Sequence, residues 1–202
     1  MTEKAPDAWK KVQYVRHEGP LPACREKVFE LLSEPGHLNY FHPFCNVNEI
    51  VTWNEHQHHD MIEYLNGLIL YRNFSHWSPP VGFDLYIGKK DEEQSFVTWS
   101  LKEMDRSTSS LTITIYPHVL MGVNRLIAYP AHLFWVKPRL QAYLRSVHNG
   151  LSQYLSTGIA TKKITGVSIP GFRRRNKKRC DHHALTAVIN ATQDHLPSAF
   201  HH

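Results

Sequence analysis

Six consecutive segments between residues 46 and 119 alternate apolar and polar residues with a period of two, which is the period of a β-strand. They are rich in β-branched and aromatic residues, which favour extended structure. Breaks such as Asn66-Gly67 and Pro79-Pro80 separate them, and short connections join antiparallel neighbours. The sequence therefore predicts an antiparallel meander of six strands at residues 46–54, 59–67, 68–77, 82–90, 94–104 and 110–119.

One strand and two short helices are predicted before this meander. Residues 9–17 alternate imperfectly and predict a strand, which ends before Gly19-Pro20. From Pro22 the spacing of apolar residues becomes helical, and Pro35-Gly36 ends this helix. A second short helix is predicted at residues 37–42.

A long amphipathic helix is predicted after the meander, from about Pro138 to Thr157, with Gly158 closing it. Burial of an apolar side chain stabilises by roughly 1.5–3 kcal/mol, so its stripe is expected to pack on the inner face of the sheet. The stripe consists of Leu140, Leu144, Val147, Leu151, Tyr154 and Leu155.

The order of elements predicts an α+β fold in which a curved antiparallel sheet of about seven strands wraps around the C-terminal helix. A flat sheet with helices on one side is disfavoured, because a meander of this length twists and curls strongly.

The chain divides by charge into a domain at residues 1–158 and a basic tail at residues 159–202, which is predicted to be flexible. The tail holds eight Lys or Arg against two Asp or Glu, whereas the rest holds fifteen against sixteen. The basic character therefore belongs to the tail. The tail either contacts nucleic acid, anionic lipid or an import receptor, or is a solvated run, so no obligatory nucleic-acid partner is predicted.

The chain is predicted to be cytoplasmic. Its first residues, "MTEKAPDAWKK", have no apolar core of a secretory signal. The apolar run at 126–136 is too short to span a bilayer. The cysteines are widely spaced and predict reduced thiols: Cys24, Cys45 and Cys180.

The stretch "PLPACREKVFELLSEPGHLNYFHPF" resembles the sequence pattern that is typical of the first helices in the START-like, SRPBCC superfamily. This superfamily includes polyketide cyclase/dehydrase-type proteins. The later stretches "YRNFSHWSPPVGFDLYI" and "RLQAYLRSVHNGLSQYL" support the resemblance, which covers about residues 10–158. The resemblance implies a helix-grip fold that holds an apolar ligand between the sheet and the long helix, with the two short helices plugging the open end.

The residues expected to contact such a ligand come from the plug, from alternate positions of the strands and from the stripe of the long helix. They are Tyr40, Phe41, Phe44, Ile62, Tyr64, Phe74, Phe83, Leu85, Val97, Trp99, Ile113, Leu144, Val147 and Leu151.

For two middle strands the sequence does not decide which face points inward. Both faces of each strand mix polar and apolar residues, and a one-residue slip exchanges the faces. One face of 68–77 carries Ile69, Tyr71, Asn73, Ser75 and Trp77, and the other carries Leu70, Arg72, Phe74 and His76. One face of 59–67 carries Asp60, Ile62, Tyr64 and Asn66, and the other carries Met61, Glu63 and Leu65.

This choice of face separates two functions. If Arg72 and His76 face inward with Asp60, Arg72 is placed to hold an enolate or carboxylate oxygen and His76 to act as acid and base, as aldol cyclisation or dehydration requires. If they face solvent, the chain is a non-catalytic binder of a small hydrophobic or aromatic ligand, which is our first hypothesis. An interaction module that acts through its basic tail is the second alternative.

No metal and no cofactor are predicted. His56 and His58 share a strand face, as a zinc pair would, but they lie at a hairpin turn and the sequence offers no third ligand. The chain also lacks the glycine-rich dinucleotide and phosphate motifs and the serine elbow of hydrolases. Residues 124–140 are either a lid that touches a membrane surface transiently or a fixed wall. The sequence does not give the oligomeric state.

Overall fold

The computed structural model describes residue 9, residues 13–118 and residues 132–164. In chain order the elements are β1 (Val15–Leu21), α1 (Arg25–Ser33), α2 (Leu38–Phe41), β2 (Cys45–Trp53), β3 (His58–Tyr64), β4 (Ile69–Ser78), β5 (Gly82–Gly88), β6 (Ser95–Glu103), β7 (Ser109–Tyr116), a π-helical turn (His132–Val136) and α3 (Lys137–Thr157).

The seven strands form one antiparallel sheet in the order β1-β7-β6-β5-β4-β3-β2. The predicted meander is confirmed from β2 to β7, since each of these strands pairs with the next one in the chain. Strand β1 joins the far side of β7, with Val15 opposite Ile115 and Leu21 opposite Ser109. Together with α3, this sheet gives the predicted α+β helix-grip fold.

Helix α3 has the predicted ends. Pro138 lies in its first turn, where a missing backbone N–H costs no helical hydrogen bond. Gly158 closes the helix in the left-handed conformation, with φ of 68°, and its N–H donates to the carbonyl of Tyr154 at 2.8 Å. The middle of the predicted stripe is buried in the core that lies on the sheet: Leu144, Val147 and Leu151.

Helix α2 lies between β2 and α3. The side-chain oxygen of Asn48 on β2 accepts a hydrogen bond from the backbone N–H of Leu38, and the Asn39 amide donates to the Asn48 carbonyl at 2.9 Å. On the other side α2 touches α3 so closely that a Cβ atom at Gly150 would lie 2.1 Å from the Phe41 carbonyl oxygen. Only glycine fits at that crossing.

The chain beyond Gly158 folds back onto α2. The backbone N–H of Thr161 donates to the Tyr40 carbonyl at 2.8 Å, and that of Ile164 donates to the Pro43 carbonyl at 3.0 Å. Hydrogen-bonded structure of the domain therefore continues to Ile164, beyond the end predicted at residue 158. The rest of the tail, and residues 124–131 of the segment discussed as a lid, lie outside the described residues.

Within the described ranges, none of the helices combines the length and the apolar character that crossing a lipid bilayer requires.

Replacement of Gly150 by alanine is expected to destabilise the protein by about 1–3 kcal/mol, because the new methyl group overlaps the Phe41 carbonyl and forces α2 and α3 apart. Urea denaturation would measure this loss. Asn149→Ala, at the exposed neighbouring position, should stay within about 0.5 kcal/mol of the wild type. Equal stability of the two variants would contradict the close crossing.

Candidate functional site

The pairing of β3 with β4 decides which side chains face the interior. Asp60 lies opposite Arg72, and Ile62 lies opposite Leu70. Asp60, Ile62 and Tyr64 alternate along the buried face of β3, and Arg72 is buried on β4. The inner face of β3 is therefore the face that carries Asp60, and the inner face of β4 at this point is the face that carries Arg72.

A β-bulge in β4 separates His76 from this inner face. Phe74 pairs with Leu85 and His76 with Asp84, so Ser75 is an extra residue between them. One extra residue reverses the alternation. Trp77 consequently faces inward and His76 is exposed. The prediction that His76 shares the face of Arg72 and Phe74 is wrong for this reason, and the triad of Arg72, His76 and Asp60 does not assemble.

Arg72 and Asp60 form a buried bidentate ion pair. The guanidinium Nε donates to Asp60 Oδ1 at 2.7 Å, and Nη2 donates to Oδ2. Asp60 has no exposed side-chain surface and Arg72 has 4%. The guanidinium carbon also lies 5.2 Å from the centre of the Phe74 ring, which favours the cation further. The interior thus holds one positive and one negative charge in direct contact.

A second polar group joins α2, β3 and α3 through three side chains. His42 Nδ1 accepts a hydrogen bond from the backbone N–H of Phe44 at 3.3 Å, so the proton of a neutral imidazole sits on Nε2. Nε2 donates to the Tyr143 hydroxyl at 2.8 Å, and the Tyr143 and Tyr64 hydroxyls share a hydrogen bond at 3.1 Å. These contacts form one hydrogen-bond chain from His42 to Tyr64.

The members of this chain are uncharged at neutral pH. Burial lowers the pKa of His42 to about 3, and the positive charge of Arg72 adds to this effect. Burial raises the pKa of Tyr64 above its ordinary value and the pKa of Tyr143 well above it. The chain therefore offers hydroxyl and imidazole hydrogen bonds without charge.

His37, just before α2, is a second buried imidazole. Its Nδ1–H donates to the Glu34 carbonyl at 2.9 Å, while Nε2 is buried and has no hydrogen-bond partner among the described residues. Burial lowers its pKa to about 3, and Arg72 contributes in the same direction. Nε2 is therefore an acceptor that only a donor group inside the protein can satisfy.

Sequence reasoning missed His37 and His42. The available signal was their position at the two ends of the predicted helix 37–42, whose aromatic residues were expected to face the interior.

A wall of aromatic rings adjoins the ion pair. Phe74 contacts Phe83 with ring centres 5.2 Å apart, Trp77 stacks on Phe83 at 5.3 Å, and Phe83 stacks near Trp99 at 5.7 Å. His58 stacks on Trp77 at 4.1 Å, nearly parallel. Most of these rings are stacked, whereas Phe74 meets Phe83 edge to face, and aromatic partners favour both arrangements.

The suspected zinc pair is not assembled, because His58 packs on Trp77 whereas His56 is exposed at the turn. In the part of the chain that the structure describes, His, Cys, Asp and Glu side chains form no group of three that is arranged to hold a metal ion.

The other residues expected to contact a ligand lie in or against one core. Tyr40 and Phe74 are partly buried, and Tyr40 stacks on Tyr154 of α3 at 5.5 Å. The remaining twelve are buried: Phe41, Phe44, Ile62, Tyr64, Phe83, Leu85, Val97, Trp99, Ile113, Leu144, Val147 and Leu151. Their contact with a ligand stays a prediction.

No family model and no curated protein matches the chain. Among solved structures, the di-domain ARO/CYC BexL from the BE-7585A biosynthetic pathway matches with a TM-score of 0.57 at 13% identity, over 71% of this chain and 46% of BexL. DynU16, from the dynemicin biosynthetic locus, matches with a TM-score of 0.55 at 16% identity, over 78% and 50%. A START superfamily protein from Mycobacterium smegmatis matches with a TM-score of 0.51 at 10% identity, over 72% and 96%.

These similarities show that the chain has the helix-grip fold of START-like proteins, as its sequence predicts. The chain spans about half the length of the first two structures. At this level of identity the likeness shows the fold alone, and activities on one fold differ with the site that it carries. The cytoplasmic location and the roles of individual site residues stay predictions.

Acid is expected to destabilise the protein through its buried imidazoles. His37 and His42 have a pKa of about 3 when folded and about 6.5 when unfolded, so the unfolded chain binds more protons between these values. The free energy of unfolding then falls as the pH falls below 6.5, by about 2 kcal/mol per histidine at pH 5. Between pH 7.5 and pH 5, His37→Phe should lose about 2 kcal/mol less of its free energy of unfolding than the wild type does, as measured by urea denaturation at both pH values.

His56→Gln is the matched control, because His56 is exposed. This variant should lose as much stability between the two pH values as the wild type does. A His37→Phe protein that also loses the full amount would show that His37 is not buried as a neutral imidazole.

Proposed function

We propose that the protein binds a small apolar or aromatic molecule between the inner face of the sheet and α3. The observation that carries this proposal is the set of polar side chains gathered inside an otherwise apolar interior. Arg72 and Asp60 supply a charged pair, and Tyr64, Tyr143 and His42 supply a hydrogen-bond chain. Binding sites for small molecules commonly combine an apolar lining with a few placed polar groups.

The energetic cost of these groups supports a role beyond stability. Removal of two charges from water is expensive, and replacement of a buried ion pair by apolar side chains is often neutral or stabilising. By this rule, well-packed apolar side chains in place of both Arg72 and Asp60 are expected to give a fold of similar stability. Arg72 and Asp60 lie beside the aromatic rings of Phe74, Trp77 and Phe83. A ligand ring with a polar substituent would contact both the ion pair and these rings there.

A ligand of moderate size would bind with useful affinity in such an interior. About 25 non-hydrogen atoms at roughly −0.3 kcal/mol each give about −8 kcal/mol, which corresponds to a dissociation constant near 1 µM. The shared fold with a START superfamily protein and with ARO/CYC BexL supports the proposal by analogy.

Tyr64→Phe should weaken the binding of 1-naphthol, which has a fused aromatic ring and one hydroxyl. Loss of the hydrogen bond at Tyr64 is expected to cost about 1 kcal/mol, or roughly fivefold in affinity, as measured by isothermal titration calorimetry. Tyr71→Phe is the matched control: Tyr71 lies on the neighbouring strand opposite Met61, on the outer face. Its affinity should equal that of the wild type.

Two results would count against the proposal in different ways. Equal affinity of the wild type and both variants would place the bound 1-naphthol away from Tyr64. Absence of binding to the wild type by 1-naphthol and by larger apolar dyes would contradict ligand binding itself.

A cyclase/dehydrase-like enzyme is the second candidate, and the hydrogen-bond chain is the observation that favours it. With His76 exposed, the interior offers His42, Tyr143 and Tyr64 in hydrogen-bond contact as proton carriers. Arg72 would hold the carbonyl oxygen as it becomes an enolate oxygen, and the proton removed from the α-carbon would pass through these groups to the departing hydroxyl group, which leaves as water.

Dehydration of 4-hydroxy-4-phenylbutan-2-one to its conjugated enone, followed by ultraviolet absorbance, tests this candidate. His42→Gln should reduce turnover at least a hundredfold, because acid–base groups typically contribute that much. His76→Gln should retain full turnover, since His76 is exposed on the other side of the sheet. Absence of turnover by the wild type would leave ligand binding without this catalysis.

The alternative that places function in the basic tail concerns residues beyond Ile164, and it stays a prediction from the sequence.

A further inference from the structure

We infer that Asp60 makes the interior selective for an uncharged ligand over an anion of the same shape, by cancelling the charge of Arg72. This inference rests on the ligand-binding function proposed above, and it names the class of molecule that the site takes. The expected ligand is a neutral ring compound with carbonyl, amide or hydroxyl groups.

The ion pair uses only part of the hydrogen-bonding capacity of Arg72. Asp60 uses both of its carboxylate oxygens for Arg72 and has no exposed surface. Of the guanidinium nitrogens, Nε and Nη2 donate to Asp60, and no described residue accepts from Nη1. A guanidinium has five N–H groups, so Arg72 keeps donors for a ligand oxygen although its charge is already balanced.

The surroundings of the pair add no net charge. His37 and His42 are neutral, as their pKa values of about 3 require, and Tyr64 and Tyr143 keep their protons. The thiol of Cys45 is also neutral, because burial raises its pKa to about 11.

The next charge that acts on this region is that of Lys163, which is only partly buried and influences both Cys45 and His42. Glu63 is the weakest of the charges that influence Cys45. The groups inside the core therefore present hydrogen-bond donors and acceptors at a total charge close to zero.

An anionic ligand is expected to bind such a site more weakly than a neutral ligand of the same shape. It gives up the hydration of its charge, and the attraction of Arg72 is opposed by the repulsion of Asp60 in direct contact with it. A neutral ligand with an oxygen acceptor gives up much less hydration and still receives N–H donors. Without the carboxylate of Asp60, the guanidinium would be an uncompensated cation and the preference would turn toward anions.

A pair of dyes with the same rings tests this inference. N-phenyl-1-naphthylamine is uncharged, and 8-anilino-1-naphthalenesulfonate carries one sulfonate on the same skeleton. Fluorescence titration at pH 7.5 should give the wild type an affinity for the neutral dye at least tenfold higher than for the sulfonate. Asp60→Asn, checked for native structure by near-ultraviolet circular dichroism, should shift this ratio at least tenfold toward the sulfonate.

Glu63→Gln is the matched control. Glu63 lies on the same strand as Asp60 but points away from the core, where it accepts a hydrogen bond from Asn46. This variant removes the same charge from the chain and should keep the dye ratio of the wild type. A shift in Glu63→Gln as large as that in Asp60→Asn would assign the effect to overall charge and overturn the inference.

A second comparison uses the wild type alone and therefore does not depend on the folding of Asp60→Asn. 1-Naphthamide should displace the neutral dye at a concentration at least tenfold lower than 1-naphthoate, which has nearly the same shape and one negative charge. Equal or stronger displacement by 1-naphthoate would overturn the inference and leave ligand binding intact. Absence of binding by both dyes would instead contradict the proposed function.

Discussion

The contact between Asp60 and Arg72 is the interaction on which the interior of this protein depends. Two charges inside a protein are tolerated when they meet with good geometry, and here adjacent positions on β3 and β4 bring them into a bidentate pair. The ion pair forms only in this register of β3 and β4, and the ion pair in turn favours this register over a shifted one. A slip of β3 by one residue would turn Asp60 toward solvent and leave Arg72 buried without a counter-charge. The polar character of the site thus follows from the pairing of two strands.

The secondary structure could be read from the sequence because it follows local rules. Alternation with a period of two identified the six strands of the meander, and Pro138 and Gly158 marked the ends of the long helix that the structure confirms. The prediction for the first strand, residues 9–17 with an end before Gly19-Pro20, is wrong: β1 is Val15–Leu21, because an edge strand tolerates a proline. The meander followed from short connections, which leave antiparallel neighbours as the simplest pairing. Those signals lie within a few residues of the elements that they define.

The site was harder to predict from the sequence, because local sequence patterns do not reveal the features that form it. The bulge at Ser75 turns His76 outward, and periodicity alone carries no mark of one extra residue. Alternation also suggests that polar residues face solvent, whereas Arg72 and Asp60 face the core. The bond between His42 and Tyr143 joins positions 101 residues apart, so that it exists only once α3 lies on the sheet.

Helix α2 connects the fold with the polar groups of the interior. Helix α2 is held to β2 by Asn48 and to the chain after α3 through the carbonyls of Tyr40 and Pro43, while Gly150 allows close contact with α3. The same short segment carries His37 and His42 against the polar interior.

Native mass spectrometry of the purified protein, followed by extraction and identification of whatever is bound, tests directly whether the interior holds a ligand. We expect a mass above that of the chain, with release on denaturation of an uncharged apolar or aromatic compound. A mass equal to that of the chain alone, unchanged after incubation with N-phenyl-1-naphthylamine, would contradict the claim that the interior is a ligand-binding site.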